Sequence, residues 1–371
     1  MRVLVAPDKF KGTLSAEEAA RAIAAGWMRA RPGDEIEQVP MADGGEGTLE
    51  ALVAALGGER KTARVSGPLG DPVDAEYGIV PSDGVSTAVV EMTRASGLAL
   101  VPERRRNPLR ASTRGTGELI LAAAEHGPSS FIVCIGGSAT NDGGAGMAQA
   151  IGARLLDAEG AEIGPGGEEL LRLAHIDVSS VDPRIRGASF LVACDVDNPL
   201  VGPNGASAVY GPQKGASPND VVLLDRALGH YAAVLHQDIG IDIRETPGAG
   251  AAGGLGGGLI AFAGARLRPG IEVVMEAVGF QERIAGLDLV ITGEGSFDAQ
   301  SLRGKTAMGV VEATRRAGIA VAVLAGRAEV QPDDLELLSM AERFGLDRAM
   351  EDARAALEEL AAEAGASREA P

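Results

Sequence analysis

Six glycine-rich segments constrain the fold of this chain most strongly, because they share one design in which a short apolar strand ends and a polar turn follows. In chain order they are PDKFKGT, MADGGEGT, GGSATNDGGAGM, CDVDNPLVGPNGASAVYGPQKGA, GAGAAGGLGGGL and TGEGSFDAQSLRGKT. Strands that lead through such turns into helices predict an α/β protein with a mostly parallel sheet. Ligands of open α/β sheets bind beyond the carboxyl ends of the strands, so we expect the binding residues in these turns.

The start of the chain shows this alternation clearly. RVLVA (2–6) is a buried strand, and Ser15 opens a helix with Glu18 three residues later in a capping box. A second strand, EIEQV, leads into the loop PMADGGEG and another helix. After Thr113, a predicted N-cap, comes a helix that leads into the buried strand FIVCIGG. The same strand–loop–helix order returns at DLVITGEG (288–295).

The middle of the chain differs, with strands joined by Pro/Gly turns from about residue 65 onwards. We therefore expect two α/β domains. Both chain ends, residues 1–66 plus 284–371, would build one mostly parallel sheet domain, and residues 67–283 would form an inserted flavodoxin-like α/β domain. The tail after about residue 346 is predicted to be one acidic helix.

Composition excludes several classes of function. A formal net charge of −18 argues against a nucleic-acid partner, which needs a basic face. No apolar run approaches the roughly 20 residues of a membrane span, and the start MRVLVAPDKF lacks the pattern of a signal peptide. Cys134 and Cys194 lie in apolar strands and predict neither a disulfide nor a metal site. We expect a cytoplasmic protein with a small-molecule substrate; the sequence leaves the number of subunits open.

Lysines and carboxylates concentrate in the glycine-rich segments. Four of the five lysines lie there: Lys9, Lys11, Lys214 and Lys305. Three pairs of carboxylates stand just past strands: Asp43 with Glu46, Asp195 with Asp197, and Glu294 with Asp298. Two neighbouring carboxylates are costly without a cation, so a magnesium site is one interpretation, and turn or helix capping is the other.

The segment GGSATNDGGAGM is the best candidate for a phosphate-binding loop, because glycines let backbone N–H groups face an anion. The alternative is a tight strand-to-helix turn. Two other patterns match poorly. GAGAAG fits GxGxxG, but the preceding DIRETP is not a buried strand, so a dinucleotide site is disfavoured. GKT at 304–306 lacks the first glycine of a P-loop, since Ala299 stands in its place.

Together these segments resemble the bacterial glycerate kinase family, in the order expected for its PDKFKG-type members. The resemblance rests on PDKFKGTLSAEEAA, MADGGEGT, STRGTGELI, GGSATNDGGAG, CDVDNPL with GPQKG, and TGEGSFDAQSLRGKT, and spans about residues 3 to 326. It implies ATP, Mg²⁺ and D-glycerate, with 2-phosphoglycerate as the product. It also implies two α/β domains, one of them discontinuous, with the active site in the interdomain cleft.

The resemblance, read beside the chemistry of phosphoryl transfer, gives role predictions. Lys9 and Lys11 would neutralise the substrate carboxylate or the transferred phosphoryl group, and Lys305 would complete the phosphate clamp. Asp195 would orient the attacking hydroxyl group, and Asp43 or Glu294 would bind the metal. The nucleotide phosphates would lie against the loop residues Gly136, Gly137, Ser138, Thr140, Gly143 and Gly144.

Three alternatives stay open at this point. The first is an ATP-dependent kinase of another small hydroxy acid. The second is a non-catalytic sensor of glycerate or nucleotide on the same scaffold, which the intact acidic and lysine-bearing turns disfavour. The third is a nicotinamide-dependent dehydrogenase, which depends on GAGAAG alone.

Overall fold

The computed structural model describes residues 1–82, 84–303 and 305–368, which fold into alternating strands and helices. Its strands, in chain order, are β1 (Arg2–Val5), β2 (Glu35–Gln38), β3 (Glu59–Ser66), β4 (Pro72–Ser82), β5 (Val85–Glu91), β6 (Ser130–Cys134), β7 (Arg154–Leu156), β8 (His175–Asp177), β9 (Ser189–Ala193), β10 (Arg266–Arg268), β11 (Leu289–Phe297), β12 (Ala320–Ala328) and β13 (Glu336–Ser339).

Helices connect most of these strands. They are α1 (Ala16–Ala30), α2 (Thr48–Leu56), α3 (Thr93–Ser96), α4 (Arg114–Ala124), α5 (Ala145–Ala150), α6 (Pro183–Gly187), α7 (Ala206–Tyr210), α8 (Pro218–Ile239), α9 (Leu255–Ala263), α10 (Gly270–Ala277), α11 (Phe280–Ile284), α12 (Thr306–Arg316), α13 (Met340–Phe344), α14 (Leu346–Glu351) and α15 (Ala353–Ala366). Short 3-10 helices lie at Leu98–Leu100, Glu103–Arg105, Gly167–Arg172, Pro212–Lys214, Ala251–Gly254 and Ser301–Arg303.

The chain divides into two compact units. Unit 1 consists of Met1–Asp43, Glu50–Gly57 and Ile271–Pro371, and unit 2 of Gly44–Leu49 and Gly58–Gly270. These units begin and end at other residues than the predicted domains. Strand β3, which we placed with the chain ends, pairs with β4 in the sheet of unit 2, and α10 belongs mostly to unit 1. The mixed α/β fold with sheets rich in parallel pairs confirms the predicted fold class.

Unit 1 contains, among its described residues, a parallel sheet in the order β13-β12-β11-β1-β2. In chain order this is 2-1-3-4-5, the strand order of flavodoxin-like sheets. The order reverses between β1 and β11, where Val3 pairs with Leu289. A sheet of this kind binds ligands at that reversal, beyond the carboxyl ends of the two strands. The strand order of unit 1 therefore places its candidate site at the turns that follow β1 and β11.

Helices cover the sheet of unit 1. The Ser15 capping box with Glu18 is confirmed, and Ala19, Ile23 and Trp27 face the core as the helical spacing predicts. Helix α15 packs along α1, where a Cβ at Gly26 would lie 2.0 Å from the Glu358 carbonyl oxygen. The acidic tail after about residue 346 does not form the single helix that the sequence predicted.

The tail breaks at Asp352, whose φ of −131° and ψ of 45° are not helical. It therefore forms two helices, α14 and α15, instead of one.

Unit 2 contains, in its described part, a mixed sheet in the order β10-β9-β6-β5-β4-β3. Strands β5, β6, β9 and β10 are parallel, whereas β3 and β4 extend the sheet by antiparallel pairing. The parallel strands follow one another in one direction, without the reversal of a flavodoxin-like sheet. In the core, the rings of Phe131 and Phe190 stack with centroids 4.4 Å apart.

One smaller sequence expectation concerns the start of α4 in unit 2. Thr113 stands at the start of α4, but its side chain makes no cap hydrogen bond to that helix. The Thr113 hydroxyl donates instead to Asp142 over 2.9 Å, because the buried carboxylate needs donors more than the helix end does. Among the helices described, none is long and apolar enough to cross a membrane.

Candidate active site

The turn after β1 places Asp8 at the reversal of the unit 1 sheet. Its side chain is buried, with 8% exposed. Oδ1 accepts a hydrogen bond from the Lys9 N–H over 2.7 Å, and Oδ2 accepts one from the Thr306 hydroxyl over 2.7 Å. The pKa of Asp8 is raised to about 6, mainly by burial and then by the negative charge of Asp43, against the lowering effects of Lys9 and Thr306.

Strand β11 places Glu294 beside this turn. It is also buried, with 8% exposed, and its Oε1 has no hydrogen-bond partner among the described residues. The pKa of Glu294 is raised to about 7. Burial is the main cause and the Asp8 charge adds to it, whereas the Ser301 hydroxyl and the Lys305 charge act in the lowering direction. A buried, unpartnered carboxylate oxygen is costly unless a cation or a proton meets it. Glu294 therefore either holds a proton or can meet a cation.

Helix α12 begins at the same edge of the sheet. Its N-cap is Lys305, whose exposed ammonium group donates to Gln300 Oε1 over 3.1 Å. Gly304, part of the incomplete P-loop match, lies outside the described residues. Asp298 accepts from the N–H groups of Gln300 and Ser301 and so caps a turn, the alternative considered for that carboxylate.

The structure thus brings together most predicted site residues of unit 1. Asp43 and Lys9 act electrostatically on Asp8, and Lys305 acts on Glu294. Lys11 lies further along the turn after β1 and is exposed. Asp8 and Thr306 were not among the site residues predicted from the sequence, although Asp8 stands just past a strand like the carboxylates that were.

In unit 2, the loop 136–144 follows β6 and divides into two parts. Gly136 and Gly137 are exposed at its start, beyond the carboxyl end of the strand. Gly143 and Gly144 are buried, and their N–H groups donate to the Gly253 carbonyl and to Asp142 Oδ1. Because those donors are occupied, this placement favours a packing role for Gly143 and Gly144 over the predicted contact with phosphate.

The glycines of GAGAAGGLGGGL pack against this loop. A Cβ at Gly253 would lie 2.0 Å from the Thr140 carbonyl oxygen, and one at Gly258 would lie 2.6 Å from the Gly143 carbonyl oxygen. Side chains are excluded here because two backbones meet. This close approach gives the GxGxxG match a structural explanation that needs no dinucleotide.

Lys214 holds the loop from inside unit 2. Its ammonium group is buried and donates to the Ser138 hydroxyl and to the Thr140 carbonyl, each over 2.7 Å. Burial lowers the pKa of Lys214 to about 7, and the charge of Asp142 opposes that shift. The Thr140 hydroxyl has no partner among the described residues.

Asp142, which sequence analysis did not select, ties the same loop to α4 and α5. It is fully buried and accepts hydrogen bonds from Thr113 and from the N–H groups of Gly144 and Gly146. Burial raises its pKa, and these donors lower it. Its surroundings are those of a structural carboxylate.

Asp195 stands just past β9 and is exposed, and its Oδ1 accepts the Gly270 N–H over 2.7 Å. The segment 44–49 lies close by, since a Cβ at Gly44 would be 2.5 Å from the Ala193 Cβ. Gly45 in turn approaches Gly136, whose Cβ position is 4.0 Å from the Gly45 Cα. Asp195 therefore shares the carboxyl edge of the unit 2 sheet with the exposed start of the loop 136–144.

A parallel sheet that carries buried carboxylates, lysines and glycine-rich turns at its carboxyl edge is typical of α/β enzymes that bind phosphate groups. Comparison with known proteins identifies the particular family: the model of the glycerate kinase family matches residues 3–368, and the chain belongs to this family. The predicted family, kinase class and alcohol acceptor are thereby confirmed, and ATP is the phosphoryl donor that a kinase of this family uses.

Named relatives are similar over most of their length. A glycerate kinase of Halalkalibacterium halodurans is 53% identical over 87% of this chain and 85% of its own. The glycerate 2-kinase of Escherichia coli is 52% identical over 85% of this chain and 82% of its own. A crystal structure from Salmonella typhimurium LT2, provisionally assigned as glycerate kinase 2, superposes with a TM-score of 0.91 at 44% identity, covering 99% of this chain and 98% of the other.

Proposed function

We propose that this glycerate kinase transfers the γ-phosphoryl group of ATP to the 2-hydroxyl group of D-glycerate and releases 2-phosphoglycerate. The observation that supports this best is the pair of buried carboxylates, Asp8 and Glu294, beside Lys9 and Lys305 at the reversal of the unit 1 sheet. Phosphoryl transfer needs positioned charges of both signs more than it needs covalent chemistry.

The lysines are assigned to anions. Lys9 and Lys11 would neutralise the glycerate carboxylate or the transferred phosphoryl group, and Lys305 would exchange its contact with Gln300 for a phosphate oxygen. Asp8 would hold these groups in place, since it fixes the first residue of α12 and balances the charge of Lys9. In unit 2, the exposed N–H groups of Gly136 and Gly137 remain candidates for phosphate contact, with Ser138 and Thr140 shaping the loop.

A magnesium ion fits the residues of unit 1. Glu294 offers a buried oxygen without a hydrogen-bond partner, and Asp43 adds a second negative charge. The described residues contain no group of three or more side chains that could hold a metal. That is compatible with Mg²⁺, which proteins commonly hold by one or two carboxylates together with substrate phosphates and water. When bound, the ion would neutralise charge on the phosphates of ATP.

Asp195 is assigned to the acceptor hydroxyl group. One of its oxygens accepts the Gly270 N–H, which fixes the carboxylate at the end of β9. The other would orient the 2-hydroxyl group and accept its proton as the bond to phosphorus forms. The proposal includes a cytoplasmic location, because Cys134 and Cys194 form no disulfide, which suits a reducing compartment.

A coupled assay tests this function directly. Purified protein is supplied with D-glycerate, ATP and Mg²⁺, and the product is detected through enolase and pyruvate kinase without phosphoglycerate mutase. Only 2-phosphoglycerate gives a signal. ADP release without that signal would contradict the assigned position, and absence of glycerate-dependent ADP release would contradict the function. A panel of other small hydroxy acids then tests the choice of acceptor.

A further inference from the structure

A cavity lies in unit 1, beside the turn after β1 and next to the carboxylate pair. It has a volume of about 440 Å³. It is formed by the turn after β1, the carboxyl ends of β11 and β12, and the helices α13 and α14. Small-molecule sites occupy roughly 300–1,000 Å³, so the cavity is large enough for a ligand with a ring system.

One wall of the cavity is apolar. Phe10 and Met340 form its buried part. Leu346 and Met350 stand four residues apart on α14, therefore on one face of the helix, and leave 53% and 54% of their surface exposed. Two large apolar side chains that line a cavity and remain exposed indicate a surface that an apolar ligand can cover.

The lining also includes two cationic side chains, Arg327 and Lys11. Arg327 lies at the end of β12, with its Nε donating to Ser296 Oγ over 3.1 Å and its guanidinium paired with Glu329 over 2.7 Å. The Lys11 ammonium group has no hydrogen bond or ion pair in the described part of the chain. In a protein with a net charge of −18, a lysine that remains unpaired beside a cavity favours an anion there.

A lining that combines apolar side chains with a cation selects between the two substrates of the proposed reaction. D-glycerate is a three-carbon acid whose hydroxyl and carboxylate groups would lose hydrogen bonds against Leu346 and Met350. ATP combines a flat, largely apolar base with an anionic tail, which matches the apolar and the cationic side chains of the lining. We propose, on the basis of the proposed function, that this cavity binds the adenine and ribose of ATP, with Lys11 directed at the phosphates.

Direct binding separates this proposal from turnover. ADP and adenosine are titrated calorimetrically into the protein without glycerate. Met350→Glu should weaken both ligands by at least about tenfold, because it places a charge against the base. Lys11→Met should weaken ADP and leave adenosine unchanged, because only ADP carries the anionic groups. Val222→Glu, at an apolar residue of α8 that is 71% exposed, is the matched control and should bind both ligands as the parent protein does.

Kinetics give the second measurement. Met350→Glu should raise the KM for ATP by the same factor and leave the KM for D-glycerate unchanged. The proposal is overturned if a folded Met350→Glu protein binds ADP with the affinity of the parent. It is also overturned if the substitution keeps ADP affinity but changes the number of subunits seen in size-exclusion chromatography. A parent protein that binds ADP but never phosphorylates glycerate would refute the proposed function and leave this cavity assignment intact.

Discussion

Thr306 donates a hydrogen bond from its hydroxyl group to Oδ2 of Asp8 over 2.7 Å, and this bond joins residues 298 positions apart in the chain. Thr306 is the first residue of α12, and Asp8 follows β1. Both side chains are buried, so the bond fixes the start of a helix against the turn that bears Lys9 and Lys11. The hydrogen bond also holds the Asp8 carboxylate in buried surroundings, which disfavour its negative charge.

Replacing Asp8 with Asn should stabilise the protein while lowering turnover. The pKa of Asp8 is raised from 3.8 to about 6, so between these values the folded state keeps a proton that the unfolded state releases. Stability due to Asp8 therefore falls as pH rises through this interval. Above about pH 7 the variant should gain about 2 kcal/mol in free energy of unfolding, and below the interval the gain should vanish.

Urea unfolding, measured above and below this pH interval, checks the predicted gain in the free energy of unfolding. Thr306→Val is the comparison variant. Thr306→Val leaves the buried charge with one donor fewer, so it should destabilise the protein at neutral pH. An Asp8→Asn protein that is less stable than the parent at neutral pH would refute this account of the buried carboxylate.

Glu294→Gln should change the dependence of the reaction on magnesium. The substitution keeps the shape of the side chain but removes the charge that would face the cation. We expect the Mg²⁺ concentration for half-maximal activity to rise by about tenfold or more, with the KM for D-glycerate little changed. Activity is measured over a magnesium titration at fixed ATP. An unchanged titration for Glu294→Gln, together with a shifted one for Asp43→Asn, would assign the cation to Asp43 instead.

Asp195→Asn should lower kcat by about 10²–10⁴-fold, since removal of a group that accepts a proton in the transition state has effects of this size. The fold should persist, because the Asn side-chain oxygen can still accept the Gly270 N–H. Thermal unfolding and kcat are measured on the same preparation. A folded variant with near-normal turnover would end this role for Asp195, and a large loss in Asp197→Asn alone would transfer the role to the neighbouring carboxylate.

Lys214→Met should weaken catalysis without weakening the fold at neutral pH. The two hydrogen bonds to Ser138 and Thr140 are lost, so the loop 136–144 should loosen and the KM for ATP should rise. The pKa of Lys214 falls from 10.5 to about 7, so between these values the unfolded state binds a proton that the folded state does not. The parent protein should therefore gain stability relative to the variant as pH rises through that interval, as followed by chemical unfolding. Parallel pH curves for the two proteins would contradict a desolvated lysine.

The sequence was sufficient to predict what depends on local pattern. The capping box of Ser15 and Glu18 and the strands β1, β2 and β11 follow from side chains close together in the chain. The class of site also followed, because the six glycine-rich segments could be recognised without knowing which strands are neighbours.

Strand order and the use of hydrogen-bond donors could not be predicted in this way. Nothing in RVLVA (2–6) shows that Val3 pairs with Leu289, so the flavodoxin-like order was assigned to the wrong part of the chain. Asp8 was overlooked for the same reason, since its importance comes from Thr306, far away in sequence. Gly143 was chosen for its free N–H, but Gly253, more than a hundred residues later, accepts it.

The pairing of β1 with β11 also has a consequence for how the protein is made on the ribosome. Almost all of unit 2 is one continuous stretch, Gly58–Gly270, which can begin to fold while the rest of the chain is still being synthesised. Strands β1 and β2 emerge before unit 2, yet β1 waits for residues 289–291 to pair with its other edge, and α1 waits longer still for α15. During that delay the apolar faces of RVLV and of Ile23 and Trp27 are uncovered. This segment, which is synthesised before unit 2, is thus among the last to be protected, and it is where we expect chaperones to bind the nascent chain.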